Sequence, residues 1–342
     1  MRRCSEKLLW RARSSWHCRC VARHAHDVAS RPKLAADAIA DWLNAQGYII
    51  KGDGPSGGGD WSWRCTARLE SADGSKEVYT KTQCKPLAEL LLGEALGLKA
   101  LHAAGGVRVP EVIHYDEVAR EELPGHRHGM ESFIITERLE PRDRNPDMYI
   151  FGRDLARTHL AGPLAAHAKS GKFGFDVDTS IGGPFESIVQ PNGWMDDWPS
   201  FFRRRRMDHI MNLANDSDMK DMWQLVDKKT DGLKSLFSDG VEVRPATLHG
   251  DLWARTYGAM HDNTAVLFEP VAYYGHHEAE FGMAWCAGFD EDFWRGYREL
   301  IPEAPLFKKR VRLYEAYHKV CHWMWFRKQY KEQVLELLSS LC

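Results

Sequence analysis

The sequence predicts an α+β fold with a strand-rich N-terminal lobe and a larger, helical C-terminal lobe. Alternating apolar and polar residues at 61–69 and 77–82 predict a pair of strands, and residues 132–137 predict another short strand. Apolar residues at helical spacing dominate the chain after residue 146. We therefore expect an antiparallel sheet in the first lobe and an α-rich second lobe.

Three regions are expected along the chain: a leader at residues 1–34, a first lobe at 35–140 and a second lobe at 141–342. In the first lobe, residues 35–45 and the leucine-rich run after Pro86 have helical periodicity. Gly105-Gly106, residues 120–129 and residues 142–146 have the composition of turns and loops. The helices predicted in the second lobe cover residues 151–160, 198–214, 219–237, 290–300, 308–326 and 330–341.

The leader resembles an organellar transit peptide, because it is rich in arginine and its acidic residues are only Glu6 and Asp27. One interpretation is import into a plastid or mitochondrion, and the alternative is a cytoplasmic protein with a disordered N-terminus. Its histidines and cysteines have the spacing of no standard zinc site. They are His17, Cys18, Cys20, His24 and His26. An unstructured leader is therefore favoured over a metal cluster.

Composition excludes several classes of function. The chain has 342 residues, 44% of them hydrophobic, which is enough for two globular lobes. Its formal net charge of −2 gives no electrostatic argument for nucleic-acid binding. No apolar run is long enough to span a membrane. Eight irregularly spaced cysteines predict reduced thiols rather than a disulfide framework, and hence a reducing compartment.

The most informative motif is His249-Gly250-Asp251-Leu252-Trp253, which precedes an apolar stretch at 265–268 and the acidic Glu269. In kinase-type phosphoryl transfer, a loop Asp orients the attacking hydroxyl and accepts its proton. A polar side chain and a carboxylate farther along the chain hold magnesium. The spacing gives the first role to Asp251 and the metal role to Thr256 and Glu269. It therefore predicts a phosphotransferase that acts on small hydroxyls and holds Mg²⁺.

The first lobe supplies the expected nucleotide site. Gly57, Gly58 and Gly59 precede the first strand and predict a glycine turn against phosphate. Lys81, on the second strand, would close over the phosphates. Glu94 lies in the helical run after Pro86 and is the candidate ion-pair partner of Lys81.

The strand at residues 132–137 ends in a polar turn, as expected for the hinge between two lobes. The backbone of this segment, at Glu137 and Leu139, would meet the adenine ring.

Several motifs together resemble the fructosamine kinase family, over a region from about Asp37 to the C-terminus. Those in the first two thirds are the three glycines, residues 93–98, Phe173-Gly174-Phe175, and residues 190–194 with Asp197-Trp198. Those in the last third are residues 249–253, Tyr273-Tyr274-Gly275-His276, residues 278–283 and residues 285–289. The last three resemble the plant and algal branch of the family.

The resemblance implies a two-lobed, protein-kinase-like fold of the aminoglycoside phosphotransferase type. It also implies ATP and Mg²⁺ as cofactors and phosphorylation of the 3-hydroxyl of ketoamine sugars, on glycated proteins or small molecules. The phosphate would destabilise the adduct and release the sugar. Neither nucleic acid nor membrane is an expected partner, and the oligomeric state is left open.

The chain departs from the family pattern at the predicted metal site. The resemblance implies Asn and Asp as metal ligands where this chain has Thr256 and Glu269. Because Mg²⁺ requires near-octahedral oxygen ligands at about 2.0–2.1 Å, these changes are expected to weaken or reshape the site. Arg255 replaces a glycine, and a solvated side chain is favoured over a phosphate contact. Asp60 replaces a frequent cysteine, so a redox switch is not expected there.

Two residues are the candidate substrate contacts. Trp253 adjoins Asp251 and is the tryptophan placed by its position in the sugar cleft. The family motif implies that His276 helps to build the pocket, and a purely structural histidine is the alternative. Cys321 and Met324 stand where relatives often carry Asn, so polar contacts to substrate are expected to be lost there.

The remaining aromatic and basic clusters favour structural roles. Large aromatic residues are usually core. The tryptophans concerned are Trp194, Trp198, Trp285, Trp294, Trp323 and Trp325. The run Arg203-Arg204-Arg205-Arg206 would spread around a helix, so we expect a solvated surface with one inward arginine rather than a phosphate patch.

Three functions fit the sequence. The first is an active ketoamine 3-kinase with Asp251 as the base. The second is a non-catalytic member that binds nucleotide or glycated protein without turnover, as the changes at Thr256 and Glu269 suggest. The third is a small-molecule kinase of the aminoglycoside or choline type, against which the Tyr273-Tyr274-Gly275-His276 motif argues.

Overall fold

The computed structural model describes residues 33–50, 64–69, 76–84, 88–119, 130–142, 144–182 and 187–342. The three glycines at 57–59, Asp60, the leader up to residue 32 and the loop at 120–129 lie outside these ranges. The chain divides into two compact units. The smaller comprises Met1–Leu91 and Ile113–Arg138, and the larger comprises Leu92–Val112 and Leu139–Cys342.

The smaller unit contains the helix Lys33–Ala45 and a five-stranded sheet in the order β1-β2-β3-β5-β4. The strands are β1 (Tyr48–Ile50), β2 (Arg64–Leu69), β3 (Lys76–Cys84), β4 (Val112–Ala119) and β5 (Met130–Glu137). The pairs β1-β2, β2-β3 and β3-β5 are antiparallel. The predicted helix and strands are confirmed.

Burial alternates along β3, as expected for a sheet with one covered face. Val78, Thr80 and Thr82 are buried, whereas Glu77 and Lys81 are half-buried on the opposite face. The core of this unit consists of Ile39, Leu43, Tyr48, Val78, Phe133 and Ile135. The amphipathic helix Lys33–Ala45 therefore covers one side of the sheet.

Most of the helix Ala88–Ala104 and the segment after it cluster with the larger unit, although the sequence placed all of residues 35–140 in the first lobe. Gly97 packs so closely on Ala272 that an added Cβ would lie 2.8 Å from its methyl group. The amide of Val107 donates to the Thr158 hydroxyl at 3.0 Å. These contacts are long-range in sequence, so periodicity alone could not reveal them.

The larger unit is mainly helical. Besides most of Ala88–Ala104, its helices of ten or more residues in the described ranges are Met148–Leu160, Ser217–Lys229, Glu291–Leu300, Phe307–Phe326 and Lys328–Ser339. Aspartate side chains cap several helix starts, each accepting from the amide three residues on: Asp147, Asp197, Asp216 and Asp290. The helical second lobe, and with it the predicted α+β class, is confirmed.

Two predicted helices differ from the structure. The helix expected at 219–237 ends at Lys229, and a separate 3-10 turn covers Lys234–Phe237. Asp231, Gly232 and Leu233 between them have positive φ values, which an α-helix does not allow. The helix expected at 198–214 contains a π-helical stretch, Phe202–Asp208.

Short strands complete the larger unit as antiparallel pairs. They are β6 (Thr179–Gly182) with β7 (Ser187–Gln190), β8 (Ala246–Leu248) with β11 (Tyr273–Gly275), and β9 (Tyr257–Ala259) with β10 (Ala265–Leu267). The pair β8-β11 is fully buried and presents residue 249 at its end.

The run of four arginines has one inward member, as predicted. Arg206 is fully buried, whereas Arg204 is exposed and Arg203 and Arg205 are half-buried. The Arg206 guanidinium donates to the side chain of Asn192 at 2.6 Å. None of the helices in the described ranges has both the length and the apolar content needed to cross a membrane.

Candidate active site

The loop at residues 249–253, termed here the catalytic loop, begins where β8 ends. The carbonyl of His249 accepts the Val271 amide at 2.8 Å and so extends the β8-β11 pairing. Gly250 has φ +83°, and an added Cβ would lie 2.2 Å from the Val271 carbonyl oxygen. Both the conformation and the space therefore require glycine at this position.

The buried side chain of His249 forms hydrogen bonds that fix the catalytic loop. Its Nδ1 accepts the Asp251 amide at 3.3 Å, so its Nε2 carries the proton and donates to the Phe268 carbonyl at 2.8 Å. Burial lowers the pKa of His249, although Glu280, Glu269 and other acidic neighbours act to raise it. A neutral imidazole thus ties the loop to the end of β10.

A single carboxylate supports the start of the catalytic loop. Glu280 accepts the His249 amide at 2.7 Å and the Gly250 amide at 2.9 Å, one with each oxygen. His159 Nε2 lies 3.4 Å from the same carboxylate, and its Nδ1 lies 2.8 Å from the Tyr297 hydroxyl. The sequence motifs did not single out Glu280, His159 or Tyr297 as site residues.

Asp251 is half-buried, and its surroundings disfavour its charged form. Burial, together with the negative charges of Glu269 and Glu280, raises the pKa of Asp251 to about 7. A carboxylate with such a pKa can accept a proton near neutral pH and release it again. Cys321, on the helix Phe307–Phe326, is also close enough for the charge of Asp251 to contribute to a raised thiol pKa, of which burial is the main cause.

Glu269 follows β10 in a left-handed backbone conformation, with φ +54°. This region is uncommon for residues other than glycine and marks local strain. Glu269 influences the pKa values of both Asp251 and His249, and Glu94 also influences His249. Three of the predicted site residues, Asp251, Glu269 and Glu94, are therefore brought together around His249.

The Thr256 hydroxyl is buried and contacts the backbone of the catalytic loop. It accepts the Trp253 amide at 3.0 Å and lies 2.9 Å from the Asp251 carbonyl and 3.1 Å from that of Trp253. In this conformation it closes the loop, and its role as a metal ligand stays a prediction. Trp253 is half-buried and Arg255 is exposed.

His276 lies in the protein interior. It is fully buried, and its Nδ1 lies 3.0 Å from the Tyr314 hydroxyl. Burial holds the pKa of His276 well below its ordinary value. Tyr314 also accepts the Trp198 indole N–H at 3.0 Å. This geometry favours the structural alternative for His276.

Ligand atoms of His276, His277 and Glu278 lie within 4.8 Å of one another and could in principle hold a metal ion. Both oxygens of Glu278, however, accept from the Arg310 guanidinium, at 2.6 and 2.9 Å. Arg310 also binds Asp239 at 2.9 Å. The carboxylate is therefore committed to a buried ion pair, and we assign no metal to this cluster.

The other predicted nucleotide residues belong to different parts of the chain. Lys81 lies in β3 opposite Ile134 of β5, and Glu137 is the last residue of β5. Leu139 is the first residue of the larger unit's second segment. The roles of these residues stay predictions, as do those of the three glycines.

Comparison with known proteins identifies the family. The fructosamine kinase family model matches residues 37–342. A chloroplastic protein-ribulosamine 3-kinase from Oryza sativa subsp. indica is 34% identical, with 96% of this chain and 91% of the relative covered. Mouse ketosamine-3-kinase is 30% identical, with 85% and 95% covered.

A solved structure agrees with these relatives. The crystal structure of a candidate fructosamine-3-kinase from Thermobifida fusca is 25% identical and superposes with a TM-score of 0.69. The superposition covers 88% of this chain and 97% of that one. On the family match, the identities and the shared fold, the chain belongs to the fructosamine kinase family.

Proposed function

We propose that this protein is an ATP-dependent ketoamine 3-kinase that phosphorylates ribulosamine or fructosamine groups on glycated lysines. The observation that carries the proposal is Asp251, held at the end of β8 by a braced loop and having a pKa near 7. Two relatives are named for 3-kinase activity on ribulosamine and ketosamine. Phosphorylation at the 3-hydroxyl would promote release of the sugar from the protein.

In the proposed reaction, Asp251 accepts the proton of the sugar 3-hydroxyl as that oxygen forms a bond to the γ-phosphorus of ATP. The bond from that phosphorus to the bridging oxygen breaks, and ADP leaves. Because the Asp251 amide is held by His249, the carboxylate is positioned before substrate arrives. Such positioning accounts for much of the catalysis in phosphoryl transfer.

The donor set near Asp251 fits a hard divalent cation. Carboxylate oxygens are the ligands that Mg²⁺ takes in nucleotide sites, and Glu269 and Asp251 influence each other electrostatically. Glu269 would hold the ion, with Thr256 as the second predicted ligand. The metal would neutralise charge on the transferring phosphoryl group. Lys81, Glu94, the glycines 57–59 and the backbone of Glu137 and Leu139 would bind the nucleotide.

The decisive experiment is mass spectrometry of ribosylated and fructosylated lysine after incubation with the protein, ATP and Mg²⁺. A ketoamine 3-phosphate, formed by the parent and lost in Asp251→Asn, is the expected result. ATP binding without any phosphorylated product would instead support the non-catalytic alternative. Phosphorylation of aminoglycosides or choline in preference to ketoamines would support the third.

The leader suggests import into a plastid. Two observations support this: its arginine-rich composition, and the chloroplastic relative from rice. A fluorescent protein fused to residues 1–34 should enter plastids. A matched fusion in which the leader arginines are replaced by glutamate should stay in the cytoplasm. Mitochondrial or cytoplasmic signal from the first fusion would contradict the proposal.

A further inference from the structure

We propose that Lys319 is a specificity-determining residue that favours ketoamines whose amine-bearing part is negatively charged. In a glycated protein this part is the modified lysine with its neighbouring residues, so acidic neighbours would be preferred. The inference rests on the proposed function, because it concerns the ketoamine that the kinase phosphorylates. Lys319 does not touch the reacting atoms in this assignment; its charge selects among substrates.

Lys319 is a buried lysine on the helix Phe307–Phe326, with 4% of its surface exposed. Its Nζ lies 3.1 Å from the centre of the Trp285 ring and 5.4 Å from that of Tyr330. Aromatic faces attract an ammonium at such distances, but the rings carry no net charge and do not neutralise it. The Glu315 carboxylate lies 3.9 Å away, and burial raises the pKa of Glu315 although Lys319 acts to lower it. This ion pair is therefore weak.

Both elements that hold this ammonium border the catalytic loop. One residue after the tryptophan, the carbonyl of Cys286 accepts the Ala254 amide, immediately after the catalytic loop, at 3.4 Å. Cys321, two residues after Lys319 on the same helix, is close enough to sense the charge of Asp251. The ammonium is therefore held next to the loop and not at a distant surface.

A row of aromatic rings, formed by Trp285, His322 and Phe326, runs from this place to the protein surface. Trp285 and His322 meet edge to face with ring centres 5.2 Å apart, and the rings of His322 and Phe326 are 6.0 Å apart. Trp285 and His322 are half-buried, whereas Phe326 is 36% exposed. The alkyl chain of a modified lysine can pack along such rings, so its peptide would leave the loop past Lys319.

The surroundings of this aromatic row favour a negative charge. Burial, together with the charge of Lys319, lowers the pKa of His322 to about 4, so this imidazole is neutral at physiological pH. The indole N–H of Trp285 is buried and has no hydrogen-bond acceptor among the residues that the structure describes. A buried donor without an acceptor is unfavourable. The positive charge and the unsatisfied donor both favour an acceptor such as a carboxylate.

The kinetic test uses the full-length chain, Mg²⁺-ATP and three peptides with one ribosylated lysine between two aspartates, two serines or two arginines. In the parent, kcat/KM should be about tenfold higher for the aspartate peptide than for the arginine peptide, because unit charges within about 10 Å interact appreciably at physiological ionic strength. The serine peptide should lie between them. An equal kcat/KM for all three peptides would overturn the proposal.

Lys319→Met keeps an unbranched side chain over the Trp285 ring but removes the charge, so the ratio of kcat/KM for the two charged peptides should fall to about one. Lys319→Arg keeps the charge and should keep the ratio. Lys234→Met is the matched control, because it removes the same charge from an exposed ion pair with Asp231. A ratio that stays unchanged in Lys319→Met, or that falls equally in Lys234→Met, would show that Lys319 does not select substrates.

Isothermal titration calorimetry without ATP separates this inference from the proposed function. The aspartate peptide should bind the parent with a Kd about tenfold lower than that of the arginine peptide, and Lys319→Met should bind both peptides alike. Such a preference in a chain that phosphorylates none of the peptides would retain the charge selection and reject the proposed function. Phosphorylation of all three peptides without any preference would reject the charge selection and retain the proposed function.

Discussion

Two glutamates in one 3-10 turn, Glu278 and Glu280, are both 2% exposed yet have different partners. The Glu278 carboxylate forms an ion pair with the Arg310 guanidinium, which also forms an ion pair with Asp239. Glu280 binds two backbone amides and a histidine. Burial raises the pKa of Glu278 despite Arg310. Burial also acts to raise that of Glu280, but His159 and the loop contacts lower it overall.

The difference shows how neighbouring buried charges acquire separate functions. An ion pair neutralises its carboxylate, so the effect of Glu278 is local and serves stability. Amide groups carry no net charge, so the field of Glu280 still acts on Asp251. The first residue therefore supports the fold, and the second supports the catalytic loop.

The largest expected effect comes from Asp251→Asn. Removing the base should lower kcat by about 10⁴-fold, the upper end for general-base catalysis, or about 5 kcal/mol. The free energy of unfolding, in contrast, should increase in this variant. The folded-state pKa of Asp251 is raised from its ordinary value of 3.8 to about 7, so the stability contributed by the protonated form is lost as pH rises between those values and is fully lost above about pH 7. Urea unfolding at pH 8 should show the variant to be more stable than the parent, and a less stable variant would contradict the assigned burial.

Arg310→Met should have the next largest effect, on stability. It leaves two buried carboxylates unpaired, and breaking such a pair costs about 3–5 kcal/mol. Arg203→Met is the matched control, because the ion pair of Arg203 with Asp227 is partly exposed and its loss should cost about 1 kcal/mol or less. Equal decreases in the free energy of urea unfolding for the two variants would show that the buried ion pairs of Arg310 stabilise the protein no more than the partly exposed pair of Arg203.

Gly250→Ala tests the loop without changing any charge. The new methyl group would collide with the Val271 carbonyl, so we expect about 2 kcal/mol of destabilisation and a lower kcat. Gly240 also has positive φ, +78°, but open space around it, so Gly240→Ala should cost only about 1 kcal/mol and leave kcat unchanged. If Gly250→Ala and Gly240→Ala both had the kcat of the parent, displacement of the catalytic loop would have no effect on catalysis.

The smallest effect is expected for Tyr297→Phe. It removes one hydrogen bond to His159 at the outer end of the contacts that hold Glu280, which is worth about 1 kcal/mol. Chemical denaturation should detect this loss. A variant as stable as the parent would show that the hydroxyl contributes nothing to holding His159.

Local patterns predicted most of the helices and the first-lobe strands, because periodicity and aspartate caps act over a few residues. The helix expected at 219–237 was wrong beyond Lys229, since the left-handed residues that follow leave its apolar spacing intact. Leu92–Val112 belongs to the larger compact unit, which no local pattern indicates. That segment is assigned by packing against residues far away in the chain, such as Thr158 and Ala272.

The candidate site also has one part that could be predicted from the sequence and another that could not. Residues 249–253 form a contiguous motif and could be found from the sequence. Glu280 is 31 residues from His249, and His159 is 121 residues from Glu280, so no local pattern links them. Glu280 lies within a family motif, but the motif does not say what the carboxylate binds. The folded β8-β11 pair places Glu280 beside His249, and the helix Met148–Leu160 supplies His159.

The left-handed backbone at Glu269 implies a conflict between selection for thermostability and selection for turnover. An acidic side chain in that conformation costs about 1–2 kcal/mol that glycine would not incur. A screen that rewards heat resistance alone should therefore recover Glu269→Gly as a stabilised protein without the carboxylate. Retention of glutamate in a parallel screen for kinase activity would show that the strain is kept for its function.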